Sequence, residues 1–205
     1  MSVEQESFSK KVDEFLPIFN FLMDEFKNLN EILGQNLVYA EKINDTSLLE
    51  SIIRMQIRTT VSIIESSCFL IRNIAYDFCA IKNFPIPNKY LDLFKAKNRI
   101  ELKDKLKLSI QFVGFSTSGI DKIDVQSNEW QSVCELIIKR HGITHPRDIY
   151  DMKVSKTDLD NSYAALLWFT KQMYHVFGKD ISNISFEVTK DDINKTIKQF
   201  KEKYS

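Results

Sequence analysis

The sequence predicts an all-α protein, a helical bundle with long antiparallel helices. Apolar residues recur at alternating steps of three and four over long windows, which is the period of one helix face. Glycine and proline are scarce, at 5 and 4 in 205 residues, too few for the turns of a β sandwich or barrel. Long uninterrupted periodic segments alternate with short connections, the pattern of helices packed side by side. On this reading residues 1–45 form an N-terminal helical extension packing on the bundle. Residues 46–180 form the helical core, and 181–205 a C-terminal docking helix.

In the first segment, about 5–33, Phe8, Val12, Phe15, Phe19, Leu22, Phe26, Leu29 and Leu33 share one stripe. Pro17 interrupts it. Proline inside a helix costs about 3 kcal/mol, so a bend there or a start close to it is expected. The longest segment, from about Thr46 to Ala80, repeats the stepping through Ile57, Val61, Ile64, Cys68, Ile71, Ala75 and Phe78. Unbroken, it would be about 50 Å long. A linker containing Gly34 and Asn44-Asp45 makes the two stripes an antiparallel pair. They also fit a coiled-coil dimer seam. Flanking apolar residues (Phe21, Met23, Ile53, Ile63, Phe69, Leu70, Ile74) widen both stripes and favour an intramolecular bundle.

Phe84 to Asn88, with Pro85 and Pro87, reads as an extended connection. Asn98 with Glu101 resembles a helix cap and its reciprocal partner, opening a helix to about Val113. Leu106, Leu108, Ile110 and Phe112 alternate as in a strand, but the Glu, Leu and Lys content favours helix. Gly114 to Gln126 reads as a loop. Ser127 or Asn128 caps a helix carrying Trp130, Val133, Cys134, Ile137 and Ile138, expected to stop near Gly142 in the left-handed conformation. An irregular stretch begins at His145-Pro146. Ser155 pairs with Asp158 to open a helix through about Phe177, ended by Gly178. Ile181 to Val188 is a short strand or a loop. Ile193, Ile197, Phe200 and Tyr204 mark the last helix, for docking on the bundle or on a partner.

The formal charge is zero, which excludes a polycation of the histone kind. The charge is uneven, however. Residues 1–50 hold 10 acidic and 4 basic side chains, and 51–205 hold 24 basic and 18 acidic, a mildly basic body able to meet phosphates locally. Cys68, Cys79 and Cys134 have no paired spacing and read as buried thiols in a reducing compartment. The acidic N-terminus has no hydrophobic run and no stretch approaches the ~20 apolar residues that cross a bilayer, so a cytoplasmic protein without membrane contact is expected. No glycine-rich phosphate loop, nucleophile elbow or kinase signature occurs.

One cluster carries chemistry: Arg140-His141-Gly142-Ile143-Thr144-His145. Arginine is always charged, and its planar fork fits phosphate oxygens. Histidine titrates near neutrality and can take or give a proton. An arginine holding a phosphodiester beside a histidine that handles the 2′-hydroxyl or leaving-group proton suffices to transesterify RNA, leaving a 2′,3′-cyclic phosphate without metal or cofactor. Arg140 follows Ile137 and Val133 on their inward face, His141 lies beside it, and Pro146 stiffens the return that carries His145. Lys139 and Arg147 add flanking positive charge. On the long second helix Arg58, Glu65 and Arg72 stand seven apart. There Glu65 is placed to orient Arg140, and Arg58 and Arg72 to widen a phosphate-binding surface.

Arg140-His141-x-x-x-His145 resembles the R-x4–6-H signature of the HEPN superfamily (higher eukaryotes and prokaryotes nucleotide-binding), with a polar residue directly after the arginine. The resemblance rests on six residues. It implies an α-helical bundle, metal-independent endoribonuclease activity in toxin–antitoxin, abortive-infection or phage-defence systems, and a site formed across a homodimer cleft. It implies Arg140 and His145 as the catalytic pair, RNA as the substrate, and a nucleotidyltransferase-like antitoxin as a partner. The family's glutamate–lysine pattern on an earlier helix has no secure match in the Arg58–Glu65–Arg72 stripe.

Plainer roles stay open for the same residues. Arg140 fits a cation placed at a helix C-terminus, worth about 0.3–1 kcal/mol. His145-Pro146 fits a structural turn, and Glu65 half of a salt bridge. Zinc on His141 and His145 lacks further ligands at suitable spacing. His175 fits a capping residue. Trp130, Trp168 and Tyr163 stand at core spacing. These readings leave a non-catalytic helical module that binds RNA, nucleotide or a protein partner as the alternative function.

Overall fold

The computed structural model describes residues 24, 27, 28, 31–95 and 100–177. Every regular element among them is helical: α1 (31–42), α2 (Thr46–Ile81), α3 (Asn88–Leu91), a 3-10 turn (Asp92–Phe94), α4 (Leu102–Ser118), α5 (Asn128–Thr144), a second 3-10 turn (Ile149–Met152) and α6 (Lys156–Phe177). The stripe before residue 31, Asn98, the 181–188 segment and the helix expected at 189–205 lie outside the described residues. No helix among those described is long and apolar enough to cross a membrane.

α2 is the axis of the bundle. Its 36 residues span about 54 Å. The Asp45 carboxylate caps it by accepting from the Leu48 N–H at 2.9 Å, which satisfies one of the free amides of the first turn. Ile53, Ile57, Val61, Ile64, Cys68, Ile71, Ala75 and Cys79 are buried along it, and so are Gln56, Thr60 and Ser67 on the flanks. Its buried surface is therefore wider than a two-position seam, which is the geometry of a helix covered on several sides. α4, α5 and α6 all pack on it.

The antiparallel arrangement of α5 and α6 is fixed by side chains along their length. Glu129 meets Lys171 at 2.8 Å, Ser132 meets Asn161 at 3.1 Å, and Lys139 meets Asp158 at 3.6 Å. Ascending positions on α5 pair with descending positions on α6. Beneath them Trp130 and Trp168 pack with ring centroids 4.6 Å apart. The Trp168 indole N–H donates to the Asp124 carbonyl at 2.6 Å. Asp124 also accepts from the Gln126 and Ser127 amides, and these bonds, led by Gln126, hold its carboxyl below the ordinary value. The α4–α5 connection is thereby anchored on α6.

Several boundaries differ from the sequence expectation. Gly34 lies inside α1, not in a linker, because Leu33, Leu37 and Ala40 continue the buried stripe to within three residues of the turn. The turn itself needs only Asn44 at φ 54°, a conformation asparagine tolerates. The short α3 and its 3-10 turn were not anticipated. They exist to bury Tyr90 and Leu93, with Tyr90 against Phe112 at 5.2 Å. α4 starts at Leu102 behind Glu101, which makes no side-chain cap bond. It runs past Gly114 to Ser118, where a loop was expected. Gly119 (φ 71°) ends it, and the Ile120 N–H returns to the Gly114 carbonyl at 3.1 Å, a Schellman-type closure. α5 likewise continues through Gly142, which is not left-handed, and stops at His145. Ser127 caps α5 through Trp130, and Ser155 pairs with Asp158 ahead of α6, as expected.

Gly114 and Gly142 have opposite roles inside their helices. A Cβ on Gly114 would lie 1.9 Å from the Ile120 carbonyl oxygen, whereas at Gly142 the nearest atoms, on Asp151, are 3.6 Å away. Gly114→Ala is expected to destabilise the fold by about 1–3 kcal/mol, the cost of overpacking. Gly142→Ala is expected to stabilise it by about 0.5–1 kcal/mol through lower chain entropy. Urea unfolding of the two variants checks the opposite signs.

Candidate functional site

The end of α5 is built from backbone satisfaction inward. The last carbonyls of a helix lack partners within it. Here the Thr144 hydroxyl donates to the Arg140 carbonyl at 2.7 Å, the His145 N–H donates to the His141 carbonyl at 2.9 Å, and Arg58 Nη2 donates to the Ile143 carbonyl at 3.0 Å. Arg58 thus reaches from α2 to the last turn of α5, where a cation is also favoured by the helix dipole. One turn earlier on α2, Arg54 donates to the Met152 carbonyl at 2.9 Å and pairs with Glu50. The two arginines hold both ends of the 145–152 connector. Within the connector, Asp148 accepts from the Tyr150 and Asp151 amides, and Asp151 accepts from the Arg147 amide at 2.8 Å.

On this frame the motif residues separate. His141 and His145 are exposed, with ring centroids 5.3 Å apart. Arg140 is half-buried, and no hydrogen bond or ion pair holds its guanidinium among the described residues. Five positions along a helix turn a side chain by about 140°, so Arg140 and position 145 leave the helix on different sides. Lys139 is tied to Asp158 across the α5–α6 seam, and Arg147 is exposed. The structure brings together Arg58, the end of α5 and the two histidines. It does not bring Glu65 or Arg72 to them. Along α2, Glu65 stands about 10 Å and Arg72 about 21 Å beyond Arg58.

Glu65 and Arg72 instead line a cavity of about 440 Å³ between α2 and α4, with Phe69, Leu102, Lys105 and Leu106. A neighbouring cavity of about 320 Å³ shares Phe69, Arg72 and Lys105 and is closed by Phe94. Arg72 is only 5% exposed, and its Nε has no hydrogen-bond partner. Burial lowers its pKa from the ordinary value, and the neighbouring Cys68 opposes that shift. The same burial drives the Cys68 thiol up. The guanidinium lies over the rings of Phe69 at 5.1 Å and Phe94 at 5.7 Å. Two such contacts offset about 0.5–2 kcal/mol each, against several for taking a cation out of water.

Sequence reasoning missed Lys105, Phe69 and Phe94 as members of one site. Leu102, Lys105, Leu106 and Ser109 stand at i, i+3, i+4 and i+7, a helical face that the strand-like alternation of Leu106, Leu108 and Ile110 obscured. Among the described residues no group of His, Cys, Asp or Glu is arranged to hold a metal ion. Comparison with protein-family models, curated proteins and solved structures gives no match to this chain.

Arg58 therefore has a structural role at the α5 end, through one bond from its Nη2 to the Ile143 carbonyl. Arg58→Ala is expected to cost about 0.5–1.5 kcal/mol, one hydrogen bond's net worth. Amide hydrogen exchange is expected to accelerate at 141–145 and leave the α5 start unchanged.

Proposed function

We propose that this chain is a metal-independent endoribonuclease of HEPN type whose site closes between two copies. The observation that carries the reading is the end of α5. An arginine without an acceptor among the described residues and two solvent-facing histidines lie within six residues on a helix end that Arg58 fixes. A guanidinium beside imidazoles is sufficient for RNA transesterification. His145 takes the 2′-hydroxyl proton, the 2′-oxygen attacks phosphorus, and Arg140 offsets the charge growing on the phosphorane. His141 is positioned to return a proton to the 5′-oxygen as it leaves.

Two copies are invoked because Arg140 and His145 leave one helix on different sides. A second α5 end placed opposite supplies the missing group to each half. The surface beside the histidines suits such a contact. Ile138, Ile149 and Tyr150 are 72%, 70% and 69% exposed, and apolar side chains this open are typical of interfaces. On this reading the protein is a cytoplasmic toxin or phage-defence effector, and a nucleotidyltransferase-like antitoxin is its partner.

A second reading, a non-catalytic module binding RNA, nucleotide or a protein partner, is favoured by one observation. Glu65, the carboxylate expected to orient Arg140, lines the α2–α4 cavity and not the α5 end.

Purified protein is expected to cut single-stranded RNA in EDTA and leave 2′,3′-cyclic phosphates. Arg140→Ala and His145→Ala are each expected to lower the rate about 10²–10⁴-fold, the range for acid–base and charge-stabilising groups. Salt-sensitive RNA retention without cleavage by the unaltered protein would sink the nuclease reading and leave the second. In sedimentation velocity, Ile138→Asp is expected to shift a dimer to monomer and to reduce cleavage with it. A cleaving monomer would refute the shared site.

A further inference from the structure

The cavity between α2 and α4 belongs to neither reading of the α5 end. Its cations outnumber its anions: Arg72 and Lys105 face a single carboxylate, Glu65. Arg72 is almost wholly buried, and its guanidinium, always charged, meets no acceptor among the described residues. Lys105 is half-buried and forms no ion pair among the described residues. Two groups that could compensate Arg72 are already used or chemically unsuited. The Ser109 hydroxyl donates to the Lys105 carbonyl at 2.7 Å, and the Cys68 thiol is held protonated by burial. The rest of the wall is mostly apolar, Phe69, Leu70, Leu102 and Leu106, with the exposed Ser66 as its one further polar residue.

Such a lining selects a ligand by two features at once. A buried fork of N–H donors binds an oxygen acid. Apolar walls around a cavity of about 440 Å³ bind a hydrocarbon or aryl body, and that volume falls in the range of small-molecule sites. The net excess of one positive charge matches a monoanion. A dianion such as free phosphate would carry unbalanced charge into a mostly apolar surround that replaces little of its water.

We propose that the α2–α4 cavity is a binding site for a small organic monoanion, a carboxylate with an apolar body, held head-first by Arg72 with Lys105 at the rim. The exposed face of Phe69, 52% open, covers the ligand's apolar part. The proposal is independent of RNA cleavage, because Arg72 lies about 21 Å along α2 from the arginine that holds the α5 end.

The test uses octanoate as probe, with 1-octanol and inorganic phosphate as controls, in calorimetric titrations and thermal melts of the full chain. Octanoate is expected to bind saturably and raise the Tm. Octanol and phosphate at equal concentration are expected to do neither. Arg72→Met, which keeps the volume and removes the charge, is expected to weaken octanoate about tenfold or more, as loss of a charge-assisted hydrogen bond does. Leu102→Trp, placed to fill the cavity from α4, is expected to abolish binding while Arg72 is intact. Absence of octanoate binding by the unaltered protein, equal binding by Arg72→Met, or binding of phosphate in its place would each overturn the proposal.

Discussion

The burial of α2 is the constraint on which the rest of the structure depends. A helix of 36 residues that buries side chains over about half of its circumference cannot be covered by one partner. It requires neighbours on several sides, and α4, α5 and α6 are those neighbours. Each fully buried Ile or Leu contributes roughly 1.5–3 kcal/mol, so the central residues from Ile53 to Ile71 dominate the gain. The secondary fittings follow from it. The Asp45 cap sets where α2 starts, and the left-handed Asn44 turns the chain so that α1 lays Leu33, Leu37 and Ala40 on the same core.

The arginines of α2 show how one scaffold helix distributes polar work along its length. Arg54 and Arg58 point at backbone carbonyls of the connector and of α5, so their charge is consumed in joining elements. The outcome is a helix end where the Arg140, His141 and Ile143 carbonyls are answered by nearby donors. A helix terminus held in this way presents nearby side chains from a fixed position, which is the property a binding or catalytic constellation needs. Arg72, four turns further on, answers no carbonyl. It lies under two phenylalanine rings in a cavity and remains charged.

Helix type and order were legible because periodicity is a property of the chain itself. The span of α2, the Ser127 cap and the Ser155–Asp158 opening of α6 each rest on local pattern, and each stands within a residue or two of its expected place. What was not legible depends on neighbours distant in sequence. Gly114 and Gly142 look alike as helix-stoppers, yet both are helical. One gives room to the Ile120 carbonyl and the other lies against Asp151. Glu65 and Arg72 share a stripe with Arg58 in the sequence, and the seven-residue spacing correctly puts them on one face. It cannot say that α5 ends opposite Arg58 while α4 covers Arg72, so one candidate site became two places. The motif at 140–145 was visible as residue types only. The turn between Arg140 and His145 follows from α5 running helical through Gly142, which the glycine itself argued against.

The sorting of cations finally separates structure from chemistry in this molecule. Lys139, Lys171 and Lys156 each meet a carboxylate across a seam, and Arg54 and Arg58 meet carbonyls. Exposed pairs of this kind contribute little energy singly, but they fix register, as the descending α5–α6 ladder shows. Arg140 and Arg72 are half-buried and buried, and among the described residues neither has such a partner. A desolvated guanidinium without an acceptor works against stability, and a methionine or leucine of similar volume would serve the fold better at Arg72. Contacts among the described residues therefore do not account for the charge there. The physical reason that suffices is an anion from outside the chain, which turns the cost of burial into selectivity: the same desolvation that penalises the empty guanidinium strengthens its bond to a carboxylate once one enters.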